Sequence, residues 1–409
     1  MHLFYKLTLL TFSISFLLSC HSKQPVKSNE VTADKKQEKE TVKKEQKEVS
    51  HRLEDGTVIK KTNQRKINFT LEEKIGQMIM MGINERKLIE EKDELRQEII
   101  RGKTGGIIYF EKNISPTYSK DMLKKMSMDL QALAKVPLFI SIDEEGGKVH
   151  RLKEKYGMIK MPSAEYLGKL NDLDSTIYYN KQLASLMSEV GINLNFAPDV
   201  DLALNVNNPV IAKVGRSYGA DPDLVSRHAI ACIKAHHEYN VKTVIKHFPG
   251  HGSSATDSHY GITDITKQWQ FIELLPYKEV IQSGFCDAVM TAHIVNCRLD
   301  TTCLPATLSK VVMTDILRGV MGFNGVIFSD DMQMHAISKN YGLENAIKLS
   351  ILAGVDVVVF GNNVNQSYRT TSAEVHAIIL KLVKSGEISE ERINESFQRI
   401  MELKEKKFK

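Results

Sequence analysis

Cysteine is scarce in this chain, five among 409 residues, and no Cys-x-x-Cys pair occurs, which removes the zinc-ribbon and zinc-finger classes. The apolar run from Leu7 to Leu18 is too short to span a bilayer. Charge of one sign is not in great excess. The formal net charge is +5, and much of it comes from the Lys-rich first fifty residues, so nucleic acid is not an expected partner. Between His21 and about Lys66 there is no aromatic residue, while Lys, Glu, Gln, Ser and Thr dominate. Such a segment cannot bury enough apolar surface to order itself. What is present elsewhere excludes disorder of the whole chain, since 42% of residues are hydrophobic and 26% charged, ordinary proportions for a large globular core.

The N-terminus reads as an export signal. His2 and Lys6 precede the Leu7–Leu18 run, and the run ends in Leu17-Leu18-Ser19-Cys20, small residues where a signal is cut. Residues 1–19 are therefore expected to be a signal peptide and residues 20–66 a tether, about 46 residues that would span roughly 40 Å as a flexible coil. An ordinary cleaved signal followed by a chance cysteine is the plainer alternative. Of the other cysteines, Cys286 is expected to pack in the core, and the Cys297/Cys303 pair can close a short loop in an oxidising compartment.

From Thr70 onward short apolar runs alternate with longer amphipathic stretches, the pattern of βα units and a parallel sheet. Thr70-Leu71-Glu72-Glu73 is a capping box opening the first helix. Eight strand candidates follow: Met78–Ile83, Gly106–Phe110, Leu138–Asp143, Asn193–Ala197, Thr243–His247, Ala288–His293, Val326–Asp330 and Val355–Phe360. Helical periodicity between them, as at Tyr178–Val190, Leu224–Tyr239 and Asn345–Ala353, predicts an α/β chain folded as a single (β/α)₈ barrel over residues 67–409. A doubly wound open sheet is the alternative. About 340 residues exceed the usual ~250 for this barrel, and the stretch from Asp143 to Thr176 is one expected insertion. A last charged helix begins near Ile388.

In such a barrel the reactive groups belong where strands end, and the unusual residues fall there. The third strand ends in Asp143-Glu144-Glu145-Gly146-Gly147, the fifth in Lys246-His247-Phe248-Pro249-Gly250-His251-Gly252, the sixth in His293 and the seventh in Ser329-Asp330-Asp331. An apolar strand gains no stability from a terminal charge, because buried charge is costly unless paired. Any one of these residues has a structural reading; four strand ends converging on one axis point to a ligand.

Lys246-His247-Phe248-Pro249-Gly250-His251-Gly252 followed by Asp257-Ser258-His259 resembles the signature of the NagZ-type bacterial β-N-acetylglucosaminidases of glycoside hydrolase family 3. The segments Ile142–Arg151, Phe196-Ala197-Pro198, Gly215-Arg216-Ser217-Tyr218, Met290-Thr291-Ala292-His293 and Phe328–Met332 support the resemblance, which spans about Leu71 to Leu403. It implies a retaining mechanism, with Asp330 as nucleophile and Asp331 its rival; alternation along a strand would let only one of the two face the axis. It implies His259 as acid/base, oriented by Asp257, on a Gly/Ser-rich loop expected to close over substrate. Asp143, Arg151, Arg216, Lys246 and His247 would hold sugar hydroxyls, His251 and His293 remaining unassigned. Glu144 and Lys148 stand where the family often has Gln and Arg, and Glu144 beside Asp143 is expected to bear on what may be attached to the sugar. Leu17-Leu18-Ser19-Cys20 resembles the bacterial lipobox, with Leu18 larger than usual, and implies lipidation of Cys20 and a membrane anchor.

The expected partner is thus a carbohydrate ending in β-linked N-acetylglucosamine, in a monomer without cofactor or metal. A family 3 glucosidase or a phosphorylase is the near alternative. A metal hydrolase built on His247, His251, Asp257 and His259, whose spacing matches no helical His-x-x-x-His arrangement, and a non-catalytic glycan-binding lipoprotein are the distant ones.

Overall fold

Strands buried on both faces read as continuous apolar runs, and the eight runs of this chain become the staves of one barrel. The computed structural model describes residues 69–258 and 261–408; the signal segment, Cys20, the tether and His259 lie outside the described residues. Among the described residues the strands in chain order are β1 (Ile79–Gly82), β2 (Gly106–Tyr109), β3 (Phe139–Ile142), β4 (Leu194–Asn195), β5 (Lys242–Phe248), β6 (Thr263–Asp264), β7 (Ala288–Thr291), β8 (Ile294–Val295), β9 (Val326–Asp331) and β10 (Val357–Phe360). All except β6 and β8 form a closed parallel barrel. Closure is direct, since β1 pairs with β2 on one side and with β10 on the other. The open doubly wound sheet is thereby excluded.

Local chemistry explains the element ends. Glu73 N donates to Thr70 Oγ1 at 3.2 Å and Thr70 N to Glu73 Oε2 at 3.0 Å, the reciprocal cap that starts helix Leu71–Gln77. Helices Leu173–Glu189 and Pro222–His237 begin upstream of their periodic cores because Asp172 and Asp221 accept the first orphan amide hydrogens. The strand β4 is only two residues long, with further backbone bonds at Asn193, Phe196 and Ala197 and asparagine side chains adding to the pairing. Asn193 Oδ1 accepts from Ile140 N at 2.9 Å, and Asn195 bonds both the amide and the carbonyl of Glu144.

Inside the barrel, Phe139 and Phe196 meet Phe328 edge-on, with ring centroids 5.8 and 5.4 Å apart. At the opposite end from the strand C-termini, the final helix Glu390–Glu405 sends Lys404 to Gln77 Oε1 and the Gly105 carbonyl. The two strands the sequence did not predict, β6 and β8, pair with each other. They close a small cluster of Ile265, Trp269, Ala292 and Ile294. From it Trp269 Nε1 donates to the Pro249 carbonyl at 3.1 Å, fastening the segment that follows β5. Cys297 and Cys303 are joined as a disulfide beyond β8. Among the described residues no helix is long and apolar enough to cross a membrane.

Candidate active site

At the C-terminal mouth of the barrel a cavity of about 310 Å³ is walled by Asp143, Arg151, Arg216, Lys246, His247 and Asp330. The six residues come from segments scattered over almost two hundred positions. Their meeting follows from barrel closure, which brings the ends of β3, β5 and β9 together. Lys246 and His247, neighbours in the chain, both reach the cavity where the register of β5 with β7 shifts between Ile245 and Phe248.

Glu145, which the sequence reading passed over, is the centre of the charged wall. Its carboxylate is almost fully buried, accepts from Arg216 Nε and Nη2 at 2.8 Å each, and lies 2.6 Å from Lys246 Nζ. Lys246 Nζ also donates to Asp143 Oδ1 at 2.7 Å. Burial alone would push the Glu145 pKa up, but Arg216 and Lys246 outweigh it and hold the group far below the ordinary range. Burial likewise opposes the charge on Lys246, and Asp143 and Glu145 reverse the effect, so its pKa is raised. Glu145, Arg216 and Lys246 therefore stay ionised, a fixed frame of donors and acceptors that needs no reorganisation to meet a polar ligand.

Behind this frame lies a second hub, Asp201, also unforeseen. Its carboxylate takes His247 Nδ1 at 2.8 Å, His251 N at 2.8 Å and the Tyr277 hydroxyl at 3.3 Å. Burial raises its pKa, yet the His247 and His251 contacts bring it below the ordinary value. With Nδ1–H donated to Asp201, the His247 ring turns its Nε2 lone pair to Arg216 Nη2, 3.1 Å away; the tautomer is assigned from these partners. Neighbouring Asp199 is held well above the carboxylate range by burial and by the charge of Asp201. Asp199, Asp201 and His247 bring ligand atoms within 4.8 Å of one another, but Arg216 Nε stands 3.5 Å from Asp199 Oδ2. That donor set suits a hydrogen-bonded hub around a guanidinium better than a cation site. Both aspartates directly follow Phe196-Ala197-Pro198 in the sequence, which is the signal that could have marked them.

The nucleophile candidate sits at the end of β9. Asp330 N donates to Thr291 Oγ1 at 3.3 Å, and its Oδ1 accepts from Asp331 N at 2.8 Å. Alternation predicted that Asp331 would turn away, yet both aspartates wall the cavity. Asp331 Oδ1 accepts from Gln333 N at 3.0 Å and Gly361 N at 3.1 Å, ties to the end of the strand and to the segment after β10. His293 supports the same corner, bonding Thr307 Oγ1 at 2.8 Å and the Asp331 carbonyl at 3.0 Å. It does not line the cavity.

Three further expectations meet the structure here. Glu144 does not face the cavity. It is buried, and its carboxylate is spent on His150 Nδ1, Leu152 N at 2.8 Å and Arg151 N at 3.0 Å, which shapes the loop that delivers Arg151. The sequence could not show this, because the buried face at a strand end depends on what the following loop packs against. His251 is also turned from the cavity, with Nδ1 2.7 Å from Ser254 Oγ and Nε2 3.2 Å from Ser258 Oγ; burial lowers its pKa to about 4. Asp257 lies on the same loop, outside the cavity wall, and His259 beyond it lies outside the described residues.

The base of that loop rests on a buried acid. Glu273 accepts from Ser253 N and Gln270 N, both at 3.2 Å, and packs against Gly250, where φ is +113° and an added Cβ would lie 2.7 Å from Glu273 Cβ, leaving no room for a side chain. Burial raises the Glu273 pKa to about 7 from 4.5. The folded chain therefore holds a proton that the unfolded chain has lost, and stability should fall, by on the order of 2 kcal/mol, as pH rises between those two values. Glu273→Gln, neutral throughout, is expected to flatten that slope in urea titrations at about pH 5 and about pH 8. An unchanged slope would assign the proton elsewhere.

A closed parallel barrel whose mouth gathers charged donors and acceptors around a cavity of about 310 Å³ defines a (β/α)₈ protein with a built polar site. Residues 70–403 match the glycosyl hydrolase family 3 N-terminal domain, and the chain belongs to that family. It is 34% identical over 277 residues to a beta-hexosaminidase of Tolumonas auensis, covering 67% of this chain and 80% of that one. Against beta-hexosaminidase A of Pseudoalteromonas piscicida the identity is 31% over 332 residues, 76% of this chain but 55% of the relative. The structure of a glycoside hydrolase family 3 beta-N-acetylglucosaminidase from a Paenibacillus species superposes with a TM-score of 0.75 at 36% identity, covering 82% of this chain and 62% of that one. The chain thus spans little more than half of the Pseudoalteromonas protein and under two thirds of the Paenibacillus one.

Proposed function

We propose that this protein is an exported, lipid-anchored retaining glycosidase that removes terminal β-linked N-acetylglucosamine from peptidoglycan fragments or other glycans, acting as a single chain without cofactor or metal. The observation that carries the reading is that Asp330 opens into the same cavity as Asp143, Arg151, Arg216, Lys246 and His247. A carboxylate in reach of a sugar held by charged donors and acceptors is what nucleophilic displacement at an anomeric carbon requires. The relatives named beta-hexosaminidase and beta-N-acetylglucosaminidase supply the choice of sugar.

In this mechanism the Lys246–Asp143 and Arg216–Glu145 pairs grip the ring hydroxyls, and Asp330 attacks C1 to form a glycosyl-enzyme. His259, oriented by Asp257, protonates the departing oxygen, then removes a proton from the water that releases the sugar, the two steps sharing one group. A panel of aryl β-glycosides tests the substrate: the N-acetylglucosaminide is expected to have the highest kcat/KM, and faster cleavage of the glucoside would overturn the assignment. Export is supported by the signal-like residues 1–19 and by the Cys297–Cys303 disulfide, which suits an oxidising compartment. Lipidation at Cys20 predicts that Cys20→Ser shifts the protein from the membrane to the soluble envelope fraction; a variant that still sediments with membranes would refute the anchor.

A further inference from the structure

Glu273 is buried where its local duty does not require it. Its Oε1 accepts from Gln270 N at 3.2 Å, capping the turn Phe271–Leu274 that leads into helix Leu275–Gln282. Glu73 and Glu374 give the same cap to helices Leu71–Gln77 and Ser372–Lys384, and neither is buried. Hydrogen bonds, from Lys135 to the one and from Thr370 to the other, lower their pKa values. Glu273 is only 1% exposed, and burial, with the charge of nearby Asp201, raises its pKa instead. Burying a carboxyl is unfavourable, and a helix cap gains nothing by it.

The burial serves a second contact. Oε2 of the same carboxyl accepts from Ser253 N at 3.2 Å, twenty positions back in the chain. The turn Gly250–Ser253 is pressed close on two elements: a Cβ added to Gly250 would lie 2.7 Å from Glu273 Cβ, and one added to Gly252 only 1.7 Å from the Leu202 carbonyl oxygen. Asn208 Nδ2 donates to the carbonyls of His251 and Gly252 at 2.8 and 3.1 Å. Asp257 follows four residues after Ser253. Glu273 itself does not wall the sugar cavity.

Resting on the glycosidase reading, we propose that Glu273 is a positioning residue for acid/base catalysis: through Ser253 it seats the turn from which Asp257 and His259 extend, so that proton delivery to the departing oxygen depends on a side chain outside the sugar cavity. Two aryl β-N-acetylglucosaminides test this. Dinitrophenolate departs without a proton, phenol needs one, and kcat/KM reports the step in which the aryl group leaves. In Glu273→Ala the phenyl-to-dinitrophenyl ratio of kcat/KM is expected to fall about tenfold or more, because a misplaced acid forfeits part of the roughly 10²–10⁴-fold that proton transfer contributes. Glu273→Gln, of the same volume and with one oxygen still able to accept, should lie between Glu273→Ala and the wild type. A wild-type ratio in both variants would overturn the proposal, even if both rates fell together, since an equal loss marks a defect of the whole barrel.

Amide hydrogen exchange separates this proposal from the glycosidase reading, because it follows the seat of the turn without turnover. In Glu273→Gln the segment 249–258 is expected to exchange about tenfold faster than in the wild type, with β3 and β9 unchanged as the internal reference. Faster exchange confined to that segment supports the seat even if neither glycoside is cleaved, and the reading that has then failed is the glycosidase one. Exchange equal to the wild type overturns the proposal even if both glycosides are cleaved.

Discussion

Replacing Asp330 by Asn should lower kcat on an aryl N-acetylglucosaminide by on the order of 10⁴-fold or more, because an amide of the same shape cannot form the covalent glycosyl-enzyme. Binding should suffer far less. Asp143, Arg216, Lys246 and His247 hold one another through ion pairs and hydrogen bonds that do not involve Asp330, so the affinity for free N-acetylglucosamine is expected to stay within a few-fold of the wild type. Asp331→Asn is the discriminating companion. Its Oδ1 accepts the amides of Gln333 and Gly361, a task an asparagine oxygen can continue, and the loss of kcat should be smaller by orders of magnitude. If Asp331→Asn were the dead variant and Asp330→Asn the active one, the nucleophile would be Asp331.

The second large effect is on both folding and binding. Lys246→Met removes the cation that Asp143 and Glu145 share, 2.7 and 2.6 Å from its Nζ, and leaves Glu145 buried with Arg216 alone. Breaking a buried pair by deleting one partner costs about 3–5 kcal/mol, enough to lower the thermal midpoint of a domain this size by roughly 5 °C. Since Asp143 also loses its orientation, KM for the aryl glycoside should rise together with the loss of stability. Adding Asp143→Asn to Lys246→Met should return part of the stability by removing the carboxylate left without its cation, while Glu145 keeps Arg216, and should not restore KM. A double variant no more stable than the single one would mean that the cost lies in packing around the lysine stem rather than in charge.

Legibility of the fold was high because burial alone sets it. Runs such as Val326-Ile327-Phe328 and Val357-Val358-Val359 are apolar at every position, as suits strands covered on both faces, and their spacing leaves room for helices between them. The strand β4 was anticipated at five residues and has two, although backbone bonds to its neighbours extend from Asn193 to Ala197. Strands β6 and β8 were invisible because two residues each carry no period.

The active site was legible where chemistry contradicts burial. Lys246, His247, Asp143 and Asp330 end apolar strands, and that contradiction marks them individually. It marks Glu144 and Glu145 equally, although one turns into the loop and the other into the cavity. Only the packing of the segment Gly146–Leu152 distinguishes them.

What the chain dictates by itself, then, is the period of its apolar residues and the places where charge interrupts them, both local properties that burial and strand geometry translate directly into eight staves and a reactive mouth. Which carboxylate meets which cation was decided by the closed barrel: Glu145 finds Arg216 across 71 positions and Asp143 finds Lys246 across 103. Coulombic pairing depends on distance in space and on the water excluded around it, and neither quantity exists until the strands have closed.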